Sequence, residues 1–400
     1  MTIRRSPRRR FAGCVGAVAL GLSAAEPAMA SDAAAEWSSR LEQNRPWQAL
    51  NALGDAPERA QIAAQISVFL GRERPACTAP RAVDGAEYRD ALEVVVRAAR
   101  DTRVVMLNES HVRRAHRVFL GRLIEALHPL GFDALAAETF APQAPTSLED
   151  GVPDAATGFY TADPAFAAAL RRAHALDWTF VPYEPEGPAD REARESGQAE
   201  ALARWLDAHP GRRLLVYAGG SHISKDPEAG WMAARFAART GIVPLTVAQG
   251  ATACAPRTEH DPGENDPGEA EPASVWPVDA AAPVVAMRDG APLAPAHVDL
   301  VVMHPPAAVA AAEDALGAPV SLCVPPRADA TLLRAFAERE DDRAIAHDQI
   351  VVPAGVETAR LRLAPGRYRI AREDAAALDT LGHVSVPAEN SASCLRIEAR

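Results

Sequence analysis

The sequence lacks closely spaced cysteines, an excess of positive charge and long hydrophobic runs beyond its N-terminus. It has five cysteines, and no two of them form a C-x-x-C arrangement, so we do not expect a zinc site built from thiolates. The formal net charge is −11, with 42 basic and 53 acidic side chains. An acidic protein of this kind is a poor candidate for binding nucleic acid or an anionic membrane surface. We therefore expect neither partner.

The strongly apolar stretch at the N-terminus is typical of an export signal. Residues 1–10 are basic, residues 11–25 are apolar, and an A-x-A cleavage site precedes Ser31. About 15 apolar residues are too few to cross a bilayer, so no stable membrane anchor is expected after cleavage. The segment Pro-Arg-Arg-Arg-Phe-Ala resembles a twin-arginine motif but does not begin with Ser or Thr, which favours the general secretory route. The sequence predicts a periplasmic or secreted protein that loses residues 1–30.

Removal of the signal would leave four cysteines: Cys77, Cys254, Cys323 and Cys394. In an oxidising compartment four cysteines permit two disulfides in three possible pairings, and the sequence does not choose among them. The signal carries five arginines and one glutamate, so the formal charge of the remaining chain is about −15.

The texture of the chain changes several times along its length. Residues 31–94 predict a helical N-terminal segment. Residues 95–254 alternate apolar strands with helices, which predicts an α/β core with a mostly parallel sheet flanked by helices. Residues 255–275 combine Pro, Gly, Asp and Glu and predict an acidic linker. Residues 276–400 consist of short β-like runs and predict a smaller strand-rich region, some of whose early strands could extend the main sheet.

Three local assignments depend on periodicity. YRDALEVVVRAAR, residues 88–100, predicts a helix that leads into the core. TLLRAFAERE, residues 331–340, predicts a helix within the C-terminal region. VETARLRLAPGRYRI, residues 356–370, alternates around a Pro-Gly pair and predicts an antiparallel hairpin.

Two stretches of the α/β core share one design. RVVMLNESH ends at His111 and RRLLVYAGGSH ends at His222. In each, a β-favouring run is followed by small or polar residues and then by a histidine. A helix is predicted after each. In an open α/β sheet such junctions lie at the carboxyl ends of the strands, where ligands bind. We therefore interpret the two histidines as members of one site.

Other polar side chains fall just beyond predicted strand ends. A helix start near the same edge adds an arginine and a glutamine one turn apart. The set comprises Glu109, His111, Glu138, Tyr183, Glu184, Arg194, Gln198 and His222. Histidines, carboxylates and an arginine on one edge predict an acid–base or metal site.

Several neighbouring residues favour simpler interpretations. His116 lies on the apolar stripe of its helix and is interpreted as a hydrogen-bonded core histidine. His304 also follows a strand, but no other residue supports a role for it. Ser221 occupies the third position of a G-x-S-x-G-like stretch, but Ile223 replaces the second glycine. A serine nucleophile is therefore not the preferred mechanism.

These motifs resemble the erythromycin-esterase-like, ChaN-like and TIKI/TraB superfamily over residues 95–250. N-E-S-H resembles its G-E-x-H motif, and G-G-S-H resembles its second G-x-x-H motif. Glu138 at the next strand end and an Arg-Glu-x-x-Gln-Ala helix start at Arg194 complete the pattern. Asn108 replaces the usual glycine, and since Asn tolerates left-handed backbone, the turn can survive. The resemblance implies an α/β sheet with its site at the strand ends.

The resemblance implies several functions, because the superfamily includes ester hydrolases, metal-dependent peptidases and haem-binding lipoproteins. We expect first an exported hydrolase of ester or amide bonds, acting on an unknown small molecule or peptide. His111 would act as general base, Glu109 or Glu138 would orient it, and Arg194 with His222 would stabilise the oxyanion.

Three alternatives stay open. In a metal-dependent version His111, Glu138 and His222 would bind Zn, Mn or Fe. In a haem- or iron-binding version a histidine or Tyr183 would be the ligand, with Glu184 beside it. A catalytically inert scaffold is the third, favoured by the loss of glycine at Asn108. Specificity is expected in loops 141–162 and 184–194 and in the C-terminal region.

Overall fold

The computed structural model describes residues 36–54, 56–73, 80, 82–252, 276–388 and 394–398. The predicted export signal, the acidic linker, Cys77 and Cys254 lie outside these residues. Within the described ranges, no helix combines the length and apolar character that crossing a membrane requires.

A nine-stranded sheet forms the centre of the molecule. Its order is β1-β7-β9-β6-β2-β5-β3-β4, with β8 paired to β7. The six strands from β9 to β4 run parallel, and β7 and β1 continue the sheet antiparallel. The strands are β1 Glu87–Asp90, β2 Val104–Glu109, β3 Phe132–Ala137, β4 Thr179–Val181, β5 Arg213–Gly219, β6 Leu245–Thr252, β7 Val284–Arg288, β8 Ala291–Pro292 and β9 Leu300–His304. The predicted α/β architecture with a mostly parallel sheet is confirmed.

Helices cover both faces of this sheet. The helices of eight or more residues that the structure describes in full are α1 Pro46–Leu53, α2 Ala60–Phe69, α3 Ala91–Ala99, α4 Arg114–Leu127, α5 Pro164–Ala175, α6 Arg191–Ala208, α7 Met232–Thr240 and α8 Pro306–Asp314. Helices α3, α4 and α5 pack on one face and α6 and α7 on the other. The first four residues of β2 are all apolar because both faces of the strand are buried: Val105 and Leu107 face the first layer, while Val104 and Met106 face the second.

The C-terminal strands form a sandwich of two sheets over a shared apolar core. One sheet has the order β13-β10-β16 and the other β12-β11-β14-β15. A disulfide joins Cys323 to Cys394 and so ties β10 to β16. The strands are β10 Ala318–Cys323, β11 Thr331–Ala337, β12 Asp348–Val352, β13 Thr358–Leu363, β14 Gly366–Glu373, β15 Leu378–Val386 and β16 Leu395–Arg396.

Two assignments in this region are wrong. The segment predicted as a helix at residues 331–340 is mostly strand β11, because it lies between β12 and β14 and both of its faces are buried. The predicted hairpin at residues 356–370 does not form, since β13 pairs with β10 while β14 pairs with β11 and β15. The Pro-Gly pair therefore carries the chain from one sheet of the sandwich to the other.

The remaining differences concern where helices begin. Residues 87–90 form β1, so the helix predicted from Tyr88 starts only at Ala91, where the Asp90 side chain accepts the backbone N–H of Glu93. Helix α4 begins at Arg114 and not at His111. After the second junction the chain makes a 3₁₀ turn, Gly220–Ile223, and α7 begins only at Met232.

The N-terminal helices pack between the sandwich and a 3₁₀ turn of the α/β core. Leu53 and Phe69 share an apolar cluster with Tyr160 of that turn, Phe159–Ala162, and with Val351 of β12. This cluster fixes the turn that carries Tyr160, which lies in the candidate site.

Candidate active site

The two strand–histidine junctions lie side by side. Strands β2 and β5 are parallel neighbours, and Glu109 is in register with Gly219. Strand β3 lies on the other side of β5, and its continuation at Glu138 donates its backbone N–H to Tyr217 O. Because parallel strands end at the same edge of a sheet, all three junctions open onto one space.

The first junction delivers a histidine–carboxylate pair. Nδ1 of His111 lies 2.8 Å from Oε1 of Glu109. Burial alone would raise the pKa of the Glu109 carboxyl, but Arg117 and His111 hold it well below its ordinary value. An ionised carboxylate only accepts hydrogen bonds, so Nδ1 carries the proton and donates to Glu109. Nε2 of His111 is then the nitrogen with a free lone pair.

Three groups fix Glu109 and His111 in place. The Arg117 Nε donates to Glu109 Oε2 at 3.0 Å, and its Nη2 donates to the His111 carbonyl at 3.0 Å. The Tyr217 hydroxyl donates to the same Glu109 oxygen at 2.9 Å. The ring of Tyr160 stacks on the His111 ring with centroids 4.2 Å apart. The imidazole is therefore held by a carboxylate at one edge and an aromatic face.

Gly219 makes room for this histidine. A Cβ at Gly219 would lie 2.7 Å from His111 Nε2 and 3.0 Å from Glu138 Oε2. Both side chains thus converge over a residue that has no side chain, and any larger residue would separate them. The backbone N–H of Gly219 donates to Glu138 Oε2.

Glu138 is a partly buried, ionised carboxylate. Burial raises its pKa, but His222, His111 and Arg194, together with the Gly219 N–H, lower it below the ordinary value. Its Oε1 accepts a hydrogen bond from Arg194 Nη2 at 2.7 Å. Glu138 therefore places negative charge between the two histidines.

Arg194 on α6 organises the far side of the site. Its Nε and Nη2 donate to the two oxygens of Glu184 at 3.1 and 2.8 Å, which is the bidentate geometry that arginine and carboxylate favour. Gln198, one turn further on, also donates to Glu184. Nη1 of Arg194 points toward His222 Nε2 at 3.3 Å. Helix α6 begins near the site because Asp190 caps it by accepting the Ala193 N–H.

His222 is the second histidine of the site and is buried. Its Nδ1 lies 2.9 Å from the Glu195 carboxylate, which also accepts the backbone N–H of Met232. Burial would lower the pKa of His222, but the Glu195 hydrogen bond and the charges of Glu195 and Glu138 raise it above its ordinary value. His222 Nε2 lies 3.3 Å from Arg194 Nη1 and 3.8 Å from Glu138.

The structure brings most of the predicted set together but not Tyr183. That side chain is buried, and its hydroxyl donates to Tyr217 O at 3.2 Å inside the core. Sequence reasoning missed Tyr160, Arg117, Tyr217 and Glu195. The available signal for Glu195 was its position beside Arg194 within the Arg-Glu-x-x-Gln-Ala start. Nothing comparable marked the other three.

Asn108 does not lie in the turn where the resemblance predicted it. It lies within β2 and has no left-handed backbone. Its Nδ2 donates to Gly220 O at 3.0 Å, its Oδ1 accepts the Gln249 N–H at 2.5 Å, and its carbonyl accepts from the Gln249 side chain at 2.7 Å. Asn108 therefore connects the ends of three adjacent strands. Glycine has no side-chain amide and could not form the two hydrogen bonds that the Asn108 side chain makes.

His116 is a core histidine, as its apolar stripe indicated. It accepts the Ser110 N–H on Nδ1 and lies 2.7 Å from Thr252 Oγ1 through Nε2. The ring of His304 stacks on it with centroids 5.0 Å apart. Burial lowers the pKa of both histidines, that of His304 to about 3, so both are neutral supports behind the site.

The predicted metal ligands do not fit a metal centre in this arrangement. Among the described side chains, no group of three or more His, Cys, Asp or Glu residues is placed to hold a metal ion. The reason is visible at Glu138 and His222, where the guanidinium of Arg194 already supplies a cation 2.7 Å from one and 3.3 Å from the other. A metal ion bound by the two histidines and Glu138 would compete with this arginine for the same carboxylate.

Comparison with known proteins yields structural neighbours only. No family model matches the chain, and no curated protein matches its sequence. The type III effector HopBA1 is similar at 15% identity and a TM-score of 0.33, over 44% of this chain and 94% of that one. ChaN of Campylobacter jejuni, described as binding haem cofacially, is similar at 10% identity and a TM-score of 0.32, over 43% and 93%.

A third neighbour is RRSP, a MARTX toxin effector domain from Vibrio vulnificus. It is similar at 13% identity and a TM-score of 0.31, over 56% of this chain and 57% of that one. At these TM-scores the neighbours place the chain in no family, so its function has to rest on the geometry of the site.

Proposed function

We propose that the protein is an exported hydrolase of ester or amide bonds in which His111 is the general base. One observation carries this proposal. The His111 ring is held through Nδ1 by an ionised Glu109, while Nε2 faces Glu138 across Gly219. A carboxylate that fixes the tautomer and leaves the other nitrogen free is the arrangement that general-base catalysis needs.

The hydrolytic step follows from this arrangement. Nε2 of His111 takes a proton from water as the water oxygen bonds to the carbonyl carbon of the substrate. The resulting imidazolium is stabilised by the negative charges of Glu109 and Glu138 on either side. When the tetrahedral intermediate collapses, the bond to the leaving oxygen or nitrogen breaks, and His111 returns the proton to that atom.

The second junction supplies the positive charge that the intermediate requires. His222 Nε2 and Arg194 Nη1 lie 3.3 Å apart, and the pKa of His222 is raised by Glu195 and Glu138 despite burial. In the resting site the Arg194 guanidinium donates toward His222 Nε2. An oxyanion beside this pair would accept a hydrogen bond from Arg194 and from protonated His222, so binding energy is gained where charge develops.

A haem-binding function would need a side chain in the site that can coordinate the haem iron. The buried Tyr183 hydroxyl is hydrogen-bonded to Tyr217 O and does not reach the site. His111, which is partly exposed, would therefore have to be the haem ligand. Haem coordination by His111 Nε2 would produce a Soret band that is lost in His111→Gln.

Hydrolysis is tested with the purified protein and two probe families, p-nitrophenyl esters of increasing chain length and peptide p-nitroanilides. Turnover is expected to persist in EDTA and to be lost in His111→Gln. His209→Gln is the matched control, because it changes a partly buried histidine at the far end of α6, directly after Ala208. Equal turnover by native and His111→Gln protein, or turnover restored only by added metal, would overturn the proposed mechanism.

A further inference from the structure

We propose that Asp348, on strand β12 of the C-terminal sandwich, is a positioning residue for the His111–Glu109 pair. It acts through a chain of buried, alternating charges. The chain runs Glu109, Arg117, Asp163, Arg114, Asp348. The inference rests on the proposed function and extends it, because it makes the C-terminal sandwich part of the machinery that holds the general base.

The inner link is Arg117, whose side chain is fully buried. All three of its nitrogens are used. Nε binds Glu109 and Nη2 binds the His111 carbonyl, both at 3.0 Å, while Nη1 binds Asp163 Oδ2 at 2.6 Å. A movement of Arg117 would therefore displace the carboxylate and the backbone of the catalytic pair together.

The middle link is Asp163, which is also fully buried. One oxygen receives Arg117. The other accepts the Ala165 N–H at 2.9 Å, which caps α5, and lies 3.8 Å from Arg114 Nε. Asp163 thus anchors Arg117 to the start of a helix and shares its charge with a second arginine one turn away on α4.

The outer link crosses to the sandwich. Arg114 Nη2 donates to Asp348 Oδ1 at 2.8 Å, and its Nη1 lies 3.5 Å from Glu313. The second oxygen of Asp348 accepts the backbone N–H of Arg362 at 2.7 Å. Asp348 therefore joins β12, β13 and α4 at one point.

The coupling between the ends follows from burial. Charges in a low-dielectric interior interact strongly and must each be paired. If Asp348 loses its charge, Arg114 keeps Glu313 and turns further toward Asp163. Asp163 then shares more of its charge with Arg114 and binds Arg117 less firmly. The loosened Arg117 holds Glu109 and the His111 carbonyl less well, so the imidazole loses its fixed orientation.

Asp348→Asn tests this chain, because Asn can still accept the Arg362 N–H and so preserves the fold locally. Glu340→Gln is the matched control. Glu340 is as buried as Asp348, 6% against 5% exposed, and it pairs with a helix of the α/β core, α5, through Arg171 at 3.3 Å. It has no contact with the charge chain. Asp348→Glu restores the charge.

Two measurements decide the outcome. In a substrate assay, Asp348→Asn is expected to lower kcat roughly tenfold with KM unchanged, while Glu340→Gln and Asp348→Glu stay within about twofold. In ring ¹⁵N spectra of the whole protein, the His111 nitrogens should shift in Asp348→Asn alone. Identical ring spectra and rates in Asp348→Asn and Glu340→Gln would overturn the inference. The ring spectra need no substrate, so they decide it even if the protein hydrolyses nothing and the proposed function fails.

Discussion

The close approach over Gly219 predicts that one added methyl group will disable the site. Gly219→Ala would place a Cβ 2.7 Å from His111 Nε2 and 3.0 Å from Glu138 Oε2. The backbone itself accepts alanine, since Gly219 has φ −71° and ψ 153°. The conflict is therefore confined to two side chains. His111 cannot turn away freely, because Glu109 holds its Nδ1 and Tyr160 covers its ring.

The cost in stability is expected to be small. Replacing glycine where the backbone permits it stabilises a protein by about 0.4–1 kcal/mol through the unfolded chain. Overpacking one methyl group costs about 1–3 kcal/mol. The difference is a loss of between about 0 and 2.6 kcal/mol, which lowers the Tm by only a few degrees in a chain of this size. Displacing a general base by a fraction of an ångström up to 1 Å can lower kcat by roughly 10²-fold.

The neighbouring Gly220 provides the control. It has φ +33°, and a Cβ there would meet no heavy atom within 4 Å. Gly220→Ala should therefore cost about 1–2 kcal/mol of backbone strain and leave the site intact. Thermal unfolding should show a small loss of stability in both variants, while steady-state kinetics should show lost activity in Gly219→Ala alone. Native kcat in Gly219→Ala would refute the proposed approach of His111 to Glu138.

Three further outcomes are expected. Glu109→Gln should lower kcat by about 10³-fold or more with little change in KM, because the amide can stabilise the wrong tautomer of His111; steady-state kinetics check this. Asn108→Gly, which restores the residue usual in the resembling superfamily, should cost about 2–3 kcal/mol in urea unfolding and raise no activity, since hydrogen bonds to two neighbouring strands are lost. Burial lowers the pKa of His222, but Glu195 and Glu138 raise it overall, so its contribution to stability is fully present below about pH 6.5 and declines as pH rises through the raised value. Glu195→Gln should flatten this decline between pH 6 and 9 in urea unfolding, and an unchanged slope would contradict the assignment.

The sequence was sufficient to place the edge of the site. Strands β2 and β5 are readable because both faces of a parallel strand are buried, so each appears as an unbroken apolar run. Polar residues within a few positions of the end of such a run lie at the edge of the sheet, which located Glu109, Glu138 and His222. This prediction of the sheet edge did not depend on knowing the order of the strands in the sheet.

The residues that support the site were not readable from the sequence. Arg117 lies in a segment with three other basic or histidine neighbours, and a charged residue there is typical of a solvent-facing helix surface. The sequence around its partner Asp163 predicts only a helix N-cap, and Asp163 does cap α5. Only the packing of α4 against α5 buries both charges and makes them a pair. Long-range pairing of this kind leaves no local pattern.

The error at strand β11 has the same origin. Leu, Ala, Arg and Glu favour helices, and residues 331–340 are rich in them. The segment is nevertheless a strand because its neighbours β12 and β14 satisfy its backbone. Arg334, fully buried there, pairs with Glu373 at 3.2 Å and bonds to Asn44. Tertiary pairing overrides a propensity that sums to only a few kcal/mol.

The two junctions resemble each other in sequence, but one contributes to the site through a side chain and the other through the absence of one. At Gly219 the absence of a side chain allows His111 and Glu138 to meet. At Asn108 the presence of one ties β2 to both neighbouring strands and thereby fixes the level at which Glu109 and His111 emerge. A glycine at position 108 would remove these ties, while an asparagine at position 219 would occupy the site. The departure of Asn108 from the resembling motif is therefore no argument for an inert scaffold, because the proposed mechanism depends on the glycine of the second junction and not on a glycine at position 108.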